Sequence, residues 1–238
     1  MKHGAELVCF GIKSVNLQGQ IIRSAVPDVP KEVYRGEEVQ EVFLPMMVGP
    51  DPKTGKDYGM PKSACCKLFS MQAIQRSGWR FVSEREIISE DYYSVMKLCR
   101  DLQSVCILPY AFYTYFQSEG SFSRAYQPGR FEKICYFYTE TKKMCNAQGY
   151  NSDVTDRLGG VFLSAVIGVM KKETASGRGA VAIWKTMRSY LNDPLMRRIL
   201  QERKADYVPF KKKILFFAMR HRLTGVCCLL SAAQNRVR

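Results

Sequence analysis

The chain has 238 residues, of which 46% are hydrophobic and 12% aromatic, and its formal net charge is +14. This length and hydrophobic content are enough for a folded core and exclude an intrinsically disordered chain. The amino terminus lacks the apolar segment of a signal peptide, and no apolar run is long enough to span a bilayer. We therefore expect a cytoplasmic protein, at most peripheral at the inner face of the membrane.

The excess of positive charge is confined to the second half of the chain. Residues 1 to 119 hold 14 Lys or Arg and 14 Asp or Glu, whereas residues 120 to 238 hold 22 and 8. Such an asymmetry predicts two parts, of which the second contacts something anionic. Anionic lipid and nucleic acid both fit this charge, but nucleic acid is the less favoured partner because the sequence contains no recognised nucleic-acid motif.

Nine cysteines are an odd number, and none of them are spaced as Cys-x-x-Cys. Most lie in apolar runs, which favours buried thiols in a reducing compartment over a disulfide framework or a zinc site. His3 and His221 have no partner at metal-ligand spacing. The sequence therefore predicts no metal site in this chain.

The first half predicts short strands alternating with helices. A strand over 7–12 precedes a turn at 16–20, and an amphipathic helix follows over 39–47. A surface loop is predicted over residues 49–62, because this segment contains several prolines and glycines. A helix is expected over 64–77, ended by Gly78, and an aromatic strand over 105–116. We expect residues 5–12 to lie at a sheet edge that pairs with a second copy, giving a homodimer.

Two adjacent carboxylates, Glu90 and Asp91, begin another predicted helix. Ser89 is a favoured N-cap residue, and acids in the first turn complement the helix dipole. Apolar residues then recur at helical spacing, at Tyr92, Val95, Met96, Cys99 and Leu102. Capping alone explains these acids if the segment is considered without its neighbours.

The second half predicts mainly helices. They are expected over Phe131 to Asn146, Thr155 to Lys172 and Ala180 to Leu191, and a further one starts around Pro194. We divide the chain into residues 1–124 and a basic helical region, 125–238. Basic clusters beside large apolar residues in 205–238 fit a membrane-surface helix and, equally well, a core helix with a solvated basic edge.

Several short motifs occur in a characteristic order across residues 1–124. They are Lys67-Leu68-Phe69, Gly78-Trp79-Arg80-Phe81, Ser89-Glu90-Asp91-Tyr92-Tyr93, Tyr113-Thr114-Tyr115 and Gly120-Ser121-Phe122-Ser123. This order resembles the C-terminal, acceptor-side half of bacterial family-2 glycosyltransferases of the GT-A fold. The resemblance implies an α/β protein, or α+β as a fragment: the second half of a mixed sheet with flanking helices, followed by the helical region.

The resemblance also implies a role for the two acids. Asp91 matches the family's base, which removes the proton of an acceptor hydroxyl during inverting transfer from a nucleotide-sugar. Glu90 would act on Asp91 through like-charge repulsion or would orient the acceptor. Lys67, Ser121 and Arg124 are further candidates for contact with a glycan or lipid-linked acceptor or with phosphate, although surface or capping roles explain them better.

The chain also departs from the family pattern. The family holds a divalent metal, Mg or Mn, through an Asp-x-Asp motif in its N-terminal half, and no Asp-x-Asp occurs in this chain. We therefore expect a fragment that cannot transfer sugar alone. The absent Gln-x-x-Arg-Trp motif of processive members favours addition of a single sugar. The alternatives are a non-catalytic module that binds a partner or glycan and, less favoured, a nucleic-acid-binding protein.

Overall fold

The computed structural model describes residues 4–116, 126–202 and 210–235, with side chains in the last range from residue 213 onward. It is a mixed α/β protein. The strands are β1 (Leu7–Val15), β2 (Ile21–Ala25), β3 (Val33–Arg35), β4 (Lys67–Phe69) and β5 (Ser104–Phe116). The helices are α1 (Leu44–Val48), α2 (Met71–Ser77), α3 (Glu90–Leu98), α4 (Arg130–Ala147), α5 (Ser152–Thr174), α6 (Ala180–Asn192), α7 (Pro194–Glu202), α8 (Phe210–Arg220) and α9 (Thr224–Ala233). A π-helical turn, Val39–Phe43, leads into α1, and a 3-10 turn, Ala64–Cys66, leads into β4.

Strand β1 lies inside the sheet, whose order is β2-β1-β5-β3. It runs parallel to β5 and antiparallel to β2, and its first residues, Leu7 to Cys9, also pair with β4. The predicted strand and turn at the start of the chain are confirmed. The expectation that residues 5–12 form a sheet edge is wrong, because β1 has hydrogen-bonded neighbours on both sides.

Helix α3 buries the predicted face. The apolar series that starts at Tyr92 in α3 and continues just beyond it to Leu102 is buried, whereas Lys97, Arg100 and Asp101 are exposed. The predicted helices of the second half are confirmed as α4, α5, α6 and α7. A connection of only four residues joins α4 to α5, so the two pack as an antiparallel hairpin.

Two local predictions are wrong. Residues 64–77 are not one helix, because Ser63 caps a 3-10 turn and Lys67–Phe69 then pairs with β1 as a strand; only Met71–Ser77 is helical. Ser89 does not cap α3 with its side chain, since its backbone is left-handed (φ 57°) and its hydroxyl makes no capping hydrogen bond.

The main hydrophobic core lies between the sheet and the helices. Its buried residues extend from Leu7 to Cys227, so the core runs across the predicted division at residue 124. The opposite sheet face has a much smaller cluster, formed by Ala5, Val8, Phe10, Cys66 and Cys106. All nine cysteines are free thiols, and six are buried, as the sequence predicts.

Helices α8 and α9 contribute to this core through Leu215, Met219 and Cys227, while Ile214 and Phe217 are exposed. Residues 205–209 and 236–238 of the predicted membrane-surface segment lie outside the described residues. Within the described ranges, every helix is too short or too polar to cross a membrane.

Candidate functional site

A cavity of about 410 Å³ lies between the start of α3 and the α4–α5 hairpin, and we call it the α4–α5 groove. Its apolar walls come from one face of each helix of the hairpin, because the lining positions recur at intervals of three and four. These wall residues are Ile134, Phe137 and Tyr138 on α4, and Leu158, Val161, Phe162, Ala165, Gly168 and Val169 on α5.

Aromatic pairs hold the walls of the groove in place. Tyr92 stacks on Phe137 with ring centroids 5.9 Å apart, and Tyr138 packs on Phe162 at 5.2 Å. The Tyr92 hydroxyl donates a hydrogen bond to the Val48 carbonyl oxygen at 2.8 Å, and burial raises the pKa of Tyr92. Such packed pairs favour a preformed cavity over one that must be ordered by a ligand.

Three of the described residues that line the groove are cations. Lys62 lies with its Nζ 5.0 Å from the centroid of the Tyr92 ring, and burial lowers the pKa of Lys62 to about 8 against the opposing attraction of Asp57. Arg130 and Lys172 lie at the end where α4 begins and α5 finishes. Burial lowers the pKa of Lys172, and the positive charge of Arg130 lowers it further.

Asp91 is the only acid among the described residues that line the groove. Its Oδ1 accepts a hydrogen bond from the Tyr92 amide at 2.7 Å, and its Oδ2 accepts one from the Ala64 amide at 3.2 Å. The carboxylate thus joins the first turn of α3 to the 3-10 turn before β4. Each oxygen keeps a further lone pair that can accept a proton or a hydroxyl hydrogen bond.

Of the other predicted site residues, the structure describes Glu90 and Lys67, and neither lines the groove. Glu90 is half-buried at the first position of α3 and does not line the groove. Lys67 is not on the surface: it is 5% exposed, and its Nζ donates to the carbonyl oxygens of Pro61 at 2.6 Å and Ser63 at 2.8 Å. It therefore holds the loop that carries Lys62. Ser121 and Arg124 lie outside the described residues.

Sequence reasoning missed Lys62, Arg130 and Lys172. A signal was present for two of them, because each continues the apolar face of its helix. Arg130 lies four residues before Ile134, and Lys172 lies three residues after Val169. Lys62 had no such signal, since it belongs to a loop. It also lines a second cavity of about 340 Å³ together with Arg23 and Asp57.

Comparisons with protein-family models, with curated proteins and with solved structures found no match. The fold and the groove define a mixed α/β protein in which, among the described residues, one carboxylate and three cations line a largely apolar cavity.

Proposed function

We propose that this chain is the acceptor-side half of a GT-A-type sugar transferase, which with its donor-binding half transfers a sugar from a nucleotide-sugar to an acceptor hydroxyl with inversion. One observation carries the proposal. Asp91, the residue that the family resemblance makes the base, lines a preformed cavity, and two backbone amides fix its carboxylate.

The groove gives Asp91 what a general base needs. An acceptor in the groove can bring its hydroxyl within roughly 3 Å of a carboxylate oxygen, the reach required for proton removal. Lys62 and Tyr92 also line the groove, with the Lys62 Nζ 5.0 Å from the centroid of the Tyr92 ring. Apolar walls hold the rest of the acceptor, so its orientation comes from packing as well as hydrogen bonds.

The residues of this groove do not fit a divalent metal. Among the described residues, no group of three His, Cys, Asp or Glu side chains could hold one. Among the described lining residues, Asp91 is the single carboxylate beside three cations, which opposes Mg or Mn binding there.

The test replaces Asp91 with Asn in a chain supplied with a donor-binding half. Sugar transfer from a nucleotide-sugar should fall at least about 100-fold, because the amide cannot take the hydroxyl proton. Asp101→Asn is the matched control, since Asp101 is an exposed acid just beyond α3 and lines no part of the groove. Retained transfer in Asp91→Asn would remove Asp91 from the mechanism.

A non-catalytic binding module is the second candidate, because a cavity with packed walls can bind without transferring anything. The sequence encoded upstream of Met1 separates the two. A continuous frame with strands, a helix and Asp-x-Asp supports the transferase, whereas a start codon used at Met1 supports the module.

A further inference from the structure

We propose that the α4–α5 groove binds an anionic amphiphile: a phosphate-type group lies between Arg130 and Lys172, and an apolar body lies along the two helices. If the bound amphiphile is the acceptor, the inference rests on the proposed function, and the acceptor is an alkyl or lipid phosphate. As a statement about binding it stands without any sugar transfer.

The apolar part of the inference follows from the length and composition of the groove. Its α5 wall extends from Leu158 to Val169, which is about 16 Å of helix at 1.5 Å per residue. Hydroxyl groups are few among the described lining residues, at Ser63, Ser89, Tyr92 and Tyr138, and the Tyr92 hydroxyl already donates to the Val48 carbonyl oxygen. A free glycan would leave many of its hydroxyls without partners against such walls, whereas an alkyl chain would not.

The anionic part follows from the charges at one end. Because α4 and α5 are antiparallel, the first residue of α4 and the last turn of α5 meet, which brings Arg130 and Lys172 together. Arg130 donates a hydrogen bond to the Gln127 side-chain oxygen at 3.1 Å, and an anion placed between Arg130 and Lys172 would accept charge-assisted hydrogen bonds from both. Across the whole groove, the described lining has three cations against the single carboxylate of Asp91.

Gly168 keeps the groove open. It lies in the middle of α5, and a Cβ built on it would meet nothing within 4 Å. A helix interior favours leucine over glycine by roughly 0.8 kcal/mol, so a larger residue here is not expected to harm the helix. Gly168→Leu should therefore fill the groove without unfolding the protein.

The experiment titrates the full chain with decyl phosphate below its micelle concentration, using calorimetry. Decyl phosphate should bind at least tenfold more tightly than inorganic phosphate and than the neutral amphiphile decyl maltoside. Gly168→Leu should weaken its binding at least tenfold. Gly225→Leu is the matched control, because Gly225 is an exposed helical glycine of α9 with equally open space, and it should bind like the unchanged chain.

A second pair of variants tests the charge. Arg130→Gln combined with Lys172→Gln should reduce decyl phosphate binding to the level of decyl maltoside, while Lys185→Gln, at an exposed position of α6, should not. Circular dichroism melting establishes that each variant is folded. Equal binding of inorganic phosphate and decyl phosphate, or equal binding by Gly168→Leu and Gly225→Leu, would overturn the inference. Neither result would bear on Asp91, whose test measures transfer.

Discussion

Ser89 has a left-handed backbone, with φ 57° and ψ 41°, directly before the acids of α3. This conformation costs an ordinary residue roughly 1 kcal/mol and costs glycine almost nothing. We expect Ser89→Gly to raise the free energy of unfolding by only about 0.5 kcal/mol. Glycine relieves the strain, but the freedom that it gains in the unfolded chain offsets part of this effect. Ser89→Val should lower it by about 1–2 kcal/mol, because a β-branched residue fits this region worst. Urea denaturation measures both, and equal stability of the two variants would contradict the strain.

Lys62 gives the protein a distinct dependence of stability on pH. Its pKa in the folded protein, about 8, lies below the ordinary lysine value of about 10.4. Between these values the unfolded chain holds more protons than the folded one, so this residue's contribution to stability rises with pH. Lys62→Met removes the contribution and keeps the side-chain size.

The measurement compares unfolding of Lys62→Met and the unchanged chain by denaturant at pH 7 and pH 9.5. We expect the variant to be the more stable at pH 7 by roughly 1–2 kcal/mol, a value reduced because part of the side chain is solvated and contacts Tyr92. The difference should shrink at pH 9.5. If the stability of Lys62→Met relative to the unchanged chain instead increased with pH, the folded protein would stabilise Lys62 in its charged form.

The acids at the start of α3 show which structural features the local sequence predicts and which it does not. Sequence alone placed Glu90 and Asp91 in the first turn and identified the buried face that follows. It assigned the cap to Ser89. In the structure, the Asp91 carboxylate accepts a hydrogen bond from the amide of Ala64, 27 residues earlier, and so links this end of the helix to another part of the chain. That contact depends on tertiary packing, which no local pattern contains.

At the scale of elements, hydrophobic periodicity predicts the long helices correctly but does not predict the short strand β4. The helices α4 and α5 were predicted to within a few residues because their apolar faces repeat over several turns. Lys67–Phe69 was predicted as helix, but it pairs with Leu7–Cys9 to become β4. A three-residue strand has too little pattern of its own, so distant pairing decides its structure.

Arg157 ties α5 to the loop after α1. It is 6% exposed; its guanidinium donates to the Gly49 carbonyl oxygen at 2.7 Å and to the Asp153 carboxylate at 2.9 Å, and it lies 3.7 Å from the Asp51 carboxylate. We expect Arg157→Leu to lower the free energy of unfolding by about 3 kcal/mol, because it leaves a buried carbonyl and two carboxylates without this partner.

The control for Arg157 is an exposed ion pair on the neighbouring helix. Lys143 contacts Glu140 on α4 at 2.8 Å, but the lysine is 69% exposed. Lys143→Ala should change the free energy of unfolding by less than about 0.5 kcal/mol. Chemical denaturation of the two variants under the same conditions measures the difference, and a similar loss in both would show that burial of Arg157 adds nothing.

On the scale of the whole molecule, the sequence anticipated the mixed architecture and the change from sheet to helices, but not which strand is interior. The expected edge at residues 5–12 is occupied on both sides. Within the described ranges, the second half of β5, residues 109–116, has hydrogen-bonded strand pairing only with β1. It exposes the aromatic rings of Tyr110, Phe112 and Phe116. Strand order depends on long-range pairing, which apolar alternation alone does not reveal.

Because residues 109–116 of β5 pair with only one strand among the described residues, we now expect self-association at this edge of the sheet. An exposed strand edge with large apolar side chains pairs readily with another chain, and inward or edge lysines prevent such pairing. We expect concentration-dependent dimers in sedimentation velocity, and we expect Tyr110→Lys combined with Phe116→Lys to weaken them at least tenfold. The matched control is Phe217→Lys combined with Leu229→Lys, which adds the same charge at exposed apolar positions of α8 and α9. If both pairs weaken association equally, added charge and not the β5 edge is the cause, and a monomer at every concentration would remove the dimer altogether.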